Sequence, residues 1–542
     1  MDHSNLPLAL LLAILIAALS VAARRLRAPP PMIMLVAGAC LAFVPGAPVV
    51  SLDPDLVLLI LLPPLLYSAG VGMSWRGFRS NLRPILLLAI GCVLATAACV
   101  AAITHYLFGL SWAIGFVLGA IVSPPDAVAP IAILRRMALP RRLTTILEGE
   151  SLVNDATALV ALGIALTAAS TGHFSPSEAA MRFVVLVAGE LAYGIGVGWA
   201  MLRLRHFAAE PRAEIMLALI TPFVAFWLPH LLGGSGVVAC VAAGLYVSWN
   251  GRNLIRPATR LQGYFFWDLW VWAIEALVFL LTGLQASAVV AGISGDELKR
   301  VVAAAAVVCA TLVVVRYLWV FAATYLPRLI VPSLREQDPT PDWRLPFLVS
   351  FTGLRGVVSL VAALLIPMTI KGQPFPDRDL VLFVTYVVIA VTIIGLGSSL
   401  PWVVRRLGIA DLGVAEAATN KNDERAVRIE SIDAVLRHLD AELRGGALAE
   451  AVDAYRRRTV HRRDLILKGG GTDGSQGELI ETGALYLRLL DIERQSIATA
   501  YAENRITDEA RRRIERELDL EEARARHALE SAAGADPART PE

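Results

Sequence analysis

Charge is what this chain has least of for its length. Only 18% of its 542 residues are Asp, Glu, Lys or Arg, and 56% are hydrophobic. Mean hydropathy is +0.61. A soluble protein of this size carries more charge and less hydrocarbon. The net charge of +2 gives no basic surface of the kind nucleic acid requires. Cysteine is scarce too. The five present (Cys40, Cys92, Cys99, Cys240 and Cys309) sit in apolar runs with no metal-ligand spacing, and read as core thiols. No HExxH pattern or Ser/His dyad marks an intramembrane enzyme. The segment GGGTDGSQG (469–477) lacks the Lys-Ser/Thr of a phosphate loop. No cofactor is expected.

The charge that exists is unevenly placed. Of 49 basic and 47 acidic residues, about half follow Arg405, in about a quarter of the chain. An apolar body (1–404) and a charged tail (405–542) follow from this. In the body, apolar stretches near the ~20 residues needed to cross a bilayer fall at 6–22, 31–47, 55–71, 84–106, 111–132, 143–169, 181–202, 213–232, 235–249, 262–284, 298–325, 346–366 and 380–403. Arginines cluster after every odd-numbered span, from Arg24 and Arg25 to Arg405 and Arg406. Basic loops face the cytoplasm. Thirteen spans then place the N-terminus outside and the C-terminus inside, in a multi-pass plasma-membrane protein. Arg24, Arg25 and Arg27 follow the first apolar run rather than precede it, so that run reads as a span and not a signal peptide. Trp267, Trp270 and Trp272 read as interface anchors.

Two spans cannot be continuous helices. Span five contains IVSPPDAVAP, with Pro124, Pro125 and Pro130 near mid-membrane; span twelve contains FTGLRGVVS, where Gly353 and Gly356 flank Arg355. Unwound backbone at that depth survives only where it lines a cavity or is buried in protein. The breaks lie seven spans apart. Repeats formed by spans 1–6 and 8–13 place both at the same position, and the odd offset inverts the second repeat. The halves share no residue-level identity, so this reading is architectural. Paired interrupted helices in opposed halves point to a transporter site.

Ionisable residues in these spans cost about 2.5–3.5 kcal/mol each at the bilayer centre. Asp126, Glu150, Asp155, Glu275 and Arg355 nevertheless lie there. In EGESLVNDATALV (148–160), Ser151 and Asp155 share a helix face, as do Glu150 and Asn154. Carboxylate, hydroxyl and amide oxygens suit a small hard cation. Asp126 stands at the proline break, where freed carbonyls add oxygens or where it caps the helix that follows. Arg355 needs an anionic partner, for which Glu150 is chosen. Arg316, within LVVVRYLWVF, is assigned a carboxylate such as Glu275. Glu148 and Glu190 read as lining polar cavities or an interface.

These stretches resemble the cation/proton antiporters of the NhaP and eukaryotic sodium/hydrogen exchanger branch. The similarity covers most of spans 2–13 and rests on LLPPLLYSAG (61–70), SPPDAVAP (123–130), EGESLVNDATALV (148–160), EALVFLLTGLQ (275–285) and GLRGVVSL (353–360), in the family's order. The resemblance implies an all-α antiporter fold of about 13 spans in two inverted repeats, with two crossing broken helices. It implies Na⁺/H⁺ exchange, electroneutral and one-for-one, with Asp155 of the Asn154–Asp155 pair binding cation and proton alternately. Na⁺ would be held by Asp155, Asp126 and Ser151. A structural Glu150–Arg355 pair, an accessory Glu275 and a homodimer are also implied. Two positions depart from the family's pattern. Ser68 stands where many relatives have a carboxylate, and Pro125 where a threonine often precedes the aspartate; these bear on ion selectivity. A K⁺/H⁺ antiporter on the same scaffold is the alternative, and a cation channel a further one, distinguished by the absence of proton coupling. The tail reads as cytoplasmic helices at 423–445, 449–467, 478–504 and 507–533, separated by Gly445–Gly446 and the glycine-rich segment. It serves either as a packed cap or as a regulator of exchange.

Overall fold

The structure is a computed structural model describing residues 5–26, 28–45, 57–134, 137, 139–208, 210–293, 297–370, 372–444, 449–468, 474–503, 505 and 508–533. Gly445–Gly446, 469–473 and the last residues lie outside these. Contacts divide the chain into two units, Met1–Glu416 and Ala417–Glu542.

In the first unit the helices are α1 (Asn5–Leu26), α2 (Pro30–Ala42), α3 (Val57–Gly72), α4 (Trp75–Ser80), α5 (Leu82–Phe108), α6 (Trp112–Val122), α7 (Val128–Leu134), α8 (Arg141–Thr171), α9 (Pro176–Ala208), α10 (Pro211–Leu231), α11 (Val237–Leu254), α12 (Pro257–Leu284), α13 (Ala286–Ala291), α14 (Leu298–Ile330), α15 (Pro332–Gln337), α16 (Arg344–Phe351), α17 (Val357–Leu364) and α18 (Arg378–Leu407). Each of the thirteen apolar stretches falls on a helix or, for spans five and twelve, on a pair of half-helices. By length and composition alone, seven of the helices are long and apolar enough to cross a membrane. Local chemistry sets several starts. Proline opens α2, α10 and α12, where its missing N–H costs nothing, and the Ser111 hydroxyl caps α6 by accepting from Ile114 N–H at 3.3 Å.

The helices form two bundles. The first contains α1–α3 and α9–α12, and the second α5–α8, α14 and α16–α18. Buried apolar residues of α5, α6, α8, α14, α17 and α18 fill the heart of the second bundle, among them Val117, Ile121, Leu162, Val308 and Val384. Two further clusters join the bundles. One sets Leu66, Phe226 and Val278 against Leu152 and Ala156; the other sets Leu35 and Leu280 against Leu360 and Ile389. Within the first bundle, α2 and α12 cross at Gly38 and Gly283. A Cβ on either would fall on the opposite backbone, at the Leu280 or Leu35 carbonyl. Such small-residue crossings supply the close packing that drives helix association in lipid.

Glu190 is used at the start of a neighbouring helix. It is buried on α9, where its carboxylate accepts from Ser235 N–H at 2.6 Å and Val238 N–H at 3.1 Å. It thereby satisfies donors that the start of α11 leaves unpaired. A two-stranded hairpin, β1 (Thr369–Ile370) and β2 (Gln373–Pro374), precedes α18.

The second unit holds the remainder of α19 (Ile409–Arg444) with α20 (Ala449–Lys468), α21 (Gly474–Ala502) and α22 (Asp508–Ala533). Arg494 on α21 bridges to Asp519 at 2.6 Å and Glu522 at 2.5 Å on α22, the mixed-sign pairing its sequence suggests. The first tail helix begins earlier than expected, and the third starts within the glycine-rich segment, at Gly474.

Candidate functional site: carboxylates at two crossed helix breaks

The interruptions fall where proline and glycine place them. Residues 123–127 separate α6 from α7, and residues 352–356 separate α16 from α17. The two breaks touch, for Asp126 N–H donates to the Leu354 carbonyl at 2.7 Å. The Asp126 carboxylate lies directly over Gly356, occupying the space a Cβ there would need. Its Oδ1 also accepts from Val128 N–H at 2.8 Å, so Asp126 caps α7 as well as facing the break.

The crossing is held from α8. Asn154, fully buried, donates its amide to the Pro125 carbonyl, and Ser151 Oγ accepts from Ala127 N–H at 3.3 Å. The Pro125 carbonyl thus provides the acceptor that fixes Asn154. Asp155 follows Asn154 on α8, and no hydrogen bond reaches its carboxylate among the described residues.

A cavity of about 560 Å³ lies between the two bundles. Ser68, Asp126, Ser151, Asp155 and Glu275 all line it, as do Glu148 and Asp268. Asn154 does not; it works behind the wall. The remaining surface is mainly apolar, with Leu62, Leu66, Val271 and Val278 among its residues. Among the described residues that line it there is no Lys or Arg, and five carry carboxyl groups: Asp126, Glu148, Asp155, Asp268 and Glu275. Tyr264 and Asp268, both exposed, stand at one end together with Met73 and Glu148, near the basic-loop ends of α3, α8 and α12. At the other end it stops against Val278 and Phe279, where α12 packs on α2, α17 and α18.

The buried ion pair differs from the expected one. Glu150 binds Arg316, not Arg355, with Nη1–Oε1 at 2.6 Å and Nη2–Oε2 at 3.0 Å. Arg316 therefore does not take Glu275 as its partner. Arg355 makes no ion pair among the described residues. Its guanidinium donates to the carbonyls of Val122 at 3.0 Å, Ser123 at 3.5 Å, and Gly353. The reason is helix geometry. The last turn of α6 leaves carbonyls unpaired and carries partial negative charge, so it satisfies a guanidinium in place of a carboxylate. Arg316 does the same for the other break, donating to the Val349 carbonyl near the end of α16 from Nε at 3.2 Å and Nη2 at 2.9 Å. Each interrupted span thus ends its first half on an arginine.

Other participants carried weaker sequence signals. Thr392, in a widened turn of α18, accepts from Arg355 N–H at 3.1 Å. Ser359 lines the cavity, with its hydroxyl unpaired among the described residues. Trp267 is no simple interface anchor, because it lines the cavity with its ring 5.6 Å from that of the buried Tyr67. Its neighbours Trp270 and Trp272 are exposed.

Crossed, interrupted helices with carboxylates at their meeting point are the architecture of secondary transporters. The chain belongs to the sodium/hydrogen exchanger family: residues 10–406 match the family described as "Sodium/hydrogen exchanger, transmembrane". It is therefore a member of a transporter family and not an enzyme. A Mycobacterium tuberculosis protein named as an Na(+)/H(+) exchanger is 34% identical over 511 residues, covering 93% of each chain. A Bacillus pumilus protein, named a sodium, potassium, lithium and rubidium/H(+) antiporter, is 32% identical over 69% of this chain and 57% of its own length. The fold is shared with the sodium proton antiporter MjNhaP1 from Methanocaldococcus jannaschii, at a TM-score of 0.59 and 18% identity, covering 73% of this chain and 97% of that one.

Proposed function

We propose that the protein is a secondary antiporter exchanging Na⁺ for H⁺, one for one, with both competing for Asp155. The observation that carries this reading is the position of Asp155: a carboxylate with no hydrogen-bond donor among the described residues, on a cavity wall beside Asp126 and Ser151. The one-for-one stoichiometry belongs to this reading on the family resemblance, with Asp155 holding one Na⁺ or one H⁺ at a time. Crossing empty would carry a bare charge through apolar protein, which is costly. The bundle therefore crosses loaded with one or the other.

The same reading includes alternating access by movement of the second bundle against the first, from the inward-open arrangement. The cavity end lined by Tyr264 and Asp268 lies with the basic loops, hence toward the cytoplasm in this reading, with the N-terminus outside and the C-terminus and tail inside. Two inverted repeats, with α9 as linker, fit two breaks that each end on an arginine. A homodimer belongs to this reading, on the family resemblance.

The test is cation-driven dissipation of ΔpH in everted vesicles. Asp155→Asn should abolish it while the protein still inserts; exchange at the wild-type rate would end the assignment. K⁺ is the second candidate cation, favoured by the Bacillus pumilus similarity, and Ser68 and Pro125, the two departures from the family's pattern, bear on the choice. Substituting Na⁺, K⁺ and Li⁺ in turn decides between them, and flux that follows voltage with no proton coupling would indicate a channel.

A further inference from the structure

Three arginines from three helices converge on Asp338, in the loop after α15. Arg83, at the start of α5, donates Nη2 at 2.8 Å. Arg142, at the start of α8, donates Nη1 at 2.8 Å and Nη2 at 3.0 Å. Arg328, near the end of α14, donates Nη2 at 2.7 Å, and its Nε reaches the Asp338 carbonyl at 3.0 Å. The net extends one step further: Arg142 Nε donates to Asn81 Oδ1 at 3.1 Å, and Asn81 Nδ2 donates to the Gly77 carbonyl at 3.0 Å. Asn81 is the joint between α4 and α5. Chain order makes α4 the link from α3, in the first bundle, to α5, in the second.

The same two helices are also tied deeper down. Glu150 lies eight residues after Arg142 on α8, and Arg316 twelve before Arg328 on α14, about 12 and 18 Å along the helices at 1.5 Å per residue. α8 and α14 are therefore pinned twice, by Glu150–Arg316 near the breaks and by Asp338 at the basic-loop end. Asp155 and Ser151 ride on α8, farther from the surface. Single exposed ion pairs contribute little, but here a two-bonded guanidinium and two further arginines share one carboxylate.

We infer that Asp338 is a positioning residue for exchange, clamping α5, α8, α14 and the α4–α5 joint so that the second bundle moves as one body. Without the clamp, α8 tilts separately from α14, and the swing no longer carries Asp126 and Asp155 together. A mere loop anchor would affect only how much protein folds. The inference rests on the antiport reading, and the experiment separates the two.

Wild type, Asp338→Asn, Asp338→Glu and Arg83→Gln are purified, reconstituted, and compared by exchange per folded molecule and by hydrogen–deuterium exchange. Asp338→Asn should lower turnover at least about fivefold with the Na⁺ KM within about twofold, and raise deuterium uptake across residues 75–83 and 141–147. Asp338→Glu should restore much of both, and Arg83→Gln should fall between. Unchanged turnover per folded molecule in Asp338→Asn, or unchanged uptake, overturns the clamp. If Asp338→Asn does not accumulate, Arg83→Gln takes its place in both measurements, and a wild-type value in either overturns the clamp. A wild type that exchanges no cation overturns the antiport reading itself, whereas an active wild type with an unaffected Asp338→Asn overturns this inference alone.

Discussion

Glu150 on α8 and Arg316 on α14 form a two-bonded, fully buried ion pair beside the crossed breaks. Removing either partner strands a charge in low dielectric, at about 3–5 kcal/mol. Glu150→Ala and Arg316→Ala should each sharply lower the yield of folded protein in detergent, read by size exclusion. Replacing both with apolar residues of similar volume should recover much of it, because no buried charge then lacks a partner.

Asp126 has two roles that substitution can separate. Asparagine keeps an oxygen to accept from Val128 N–H, whereas alanine loses both cap and charge. Asp126→Asn should fold as wild type and weaken cation-driven exchange. Asp126→Ala should add a stability loss of about 0.5–2 kcal/mol from the missing cap, visible as a lower melting temperature.

Gly356 is conformationally ordinary but sterically required, because the Asp126 carboxylate fills the place of its Cβ. Gly356→Ala should push that carboxylate aside or open the crossing. The expected result is a raised apparent KM for the cation, or no exchange, with membrane insertion retained. Wild-type kinetics would show that the contact does not matter.

Ser68 lines the cavity on α3, toward the end that the proposed topology places in the cytoplasm. In a background with the five native cysteines replaced, Ser68→Cys should react with a membrane-impermeant thiol reagent added to the cytoplasmic side. It should be shielded from the same reagent added outside. The opposite pattern would reverse the orientation or the state.

Burial by itself would raise the Asp338 carboxyl, but the hydrogen bonds and charge of Arg142, with the charges of Arg328 and Arg83, hold it below its ordinary 3.8. A carboxylate with a depressed folded-state value stabilises the fold fully above its unfolded value, and that contribution disappears as pH falls through the folded one. Asp338→Asn should therefore lower the melting temperature by the same amount from pH 5 to 8. The gap to wild type should close only below about pH 4. A gap that changes near neutrality would point to another group.

Sequence alone determined the helical body, its breaks and the residues at their crossing. Hydrocarbon length and the alternation of arginine loops are one-dimensional signals, and the clustering of Pro124 with Pro125, and of Gly353 with Gly356, weakens the helix locally. Spacing on one helix likewise put Ser151 and Asp155 on a common face. Partner choice across helices was not legible. Glu150 had two arginines at similar depth, and the packing of α14 on α8 gave it Arg316. Arg355 was left to the carbonyl end of α6, a partner no side-chain census counts. Nor did the chain reveal that Asp338, in an ordinary loop, gathers Arg83, Arg142 and Arg328. Those contacts span up to 255 residues, and only the tertiary fold brings such distant segments within reach of a hydrogen bond.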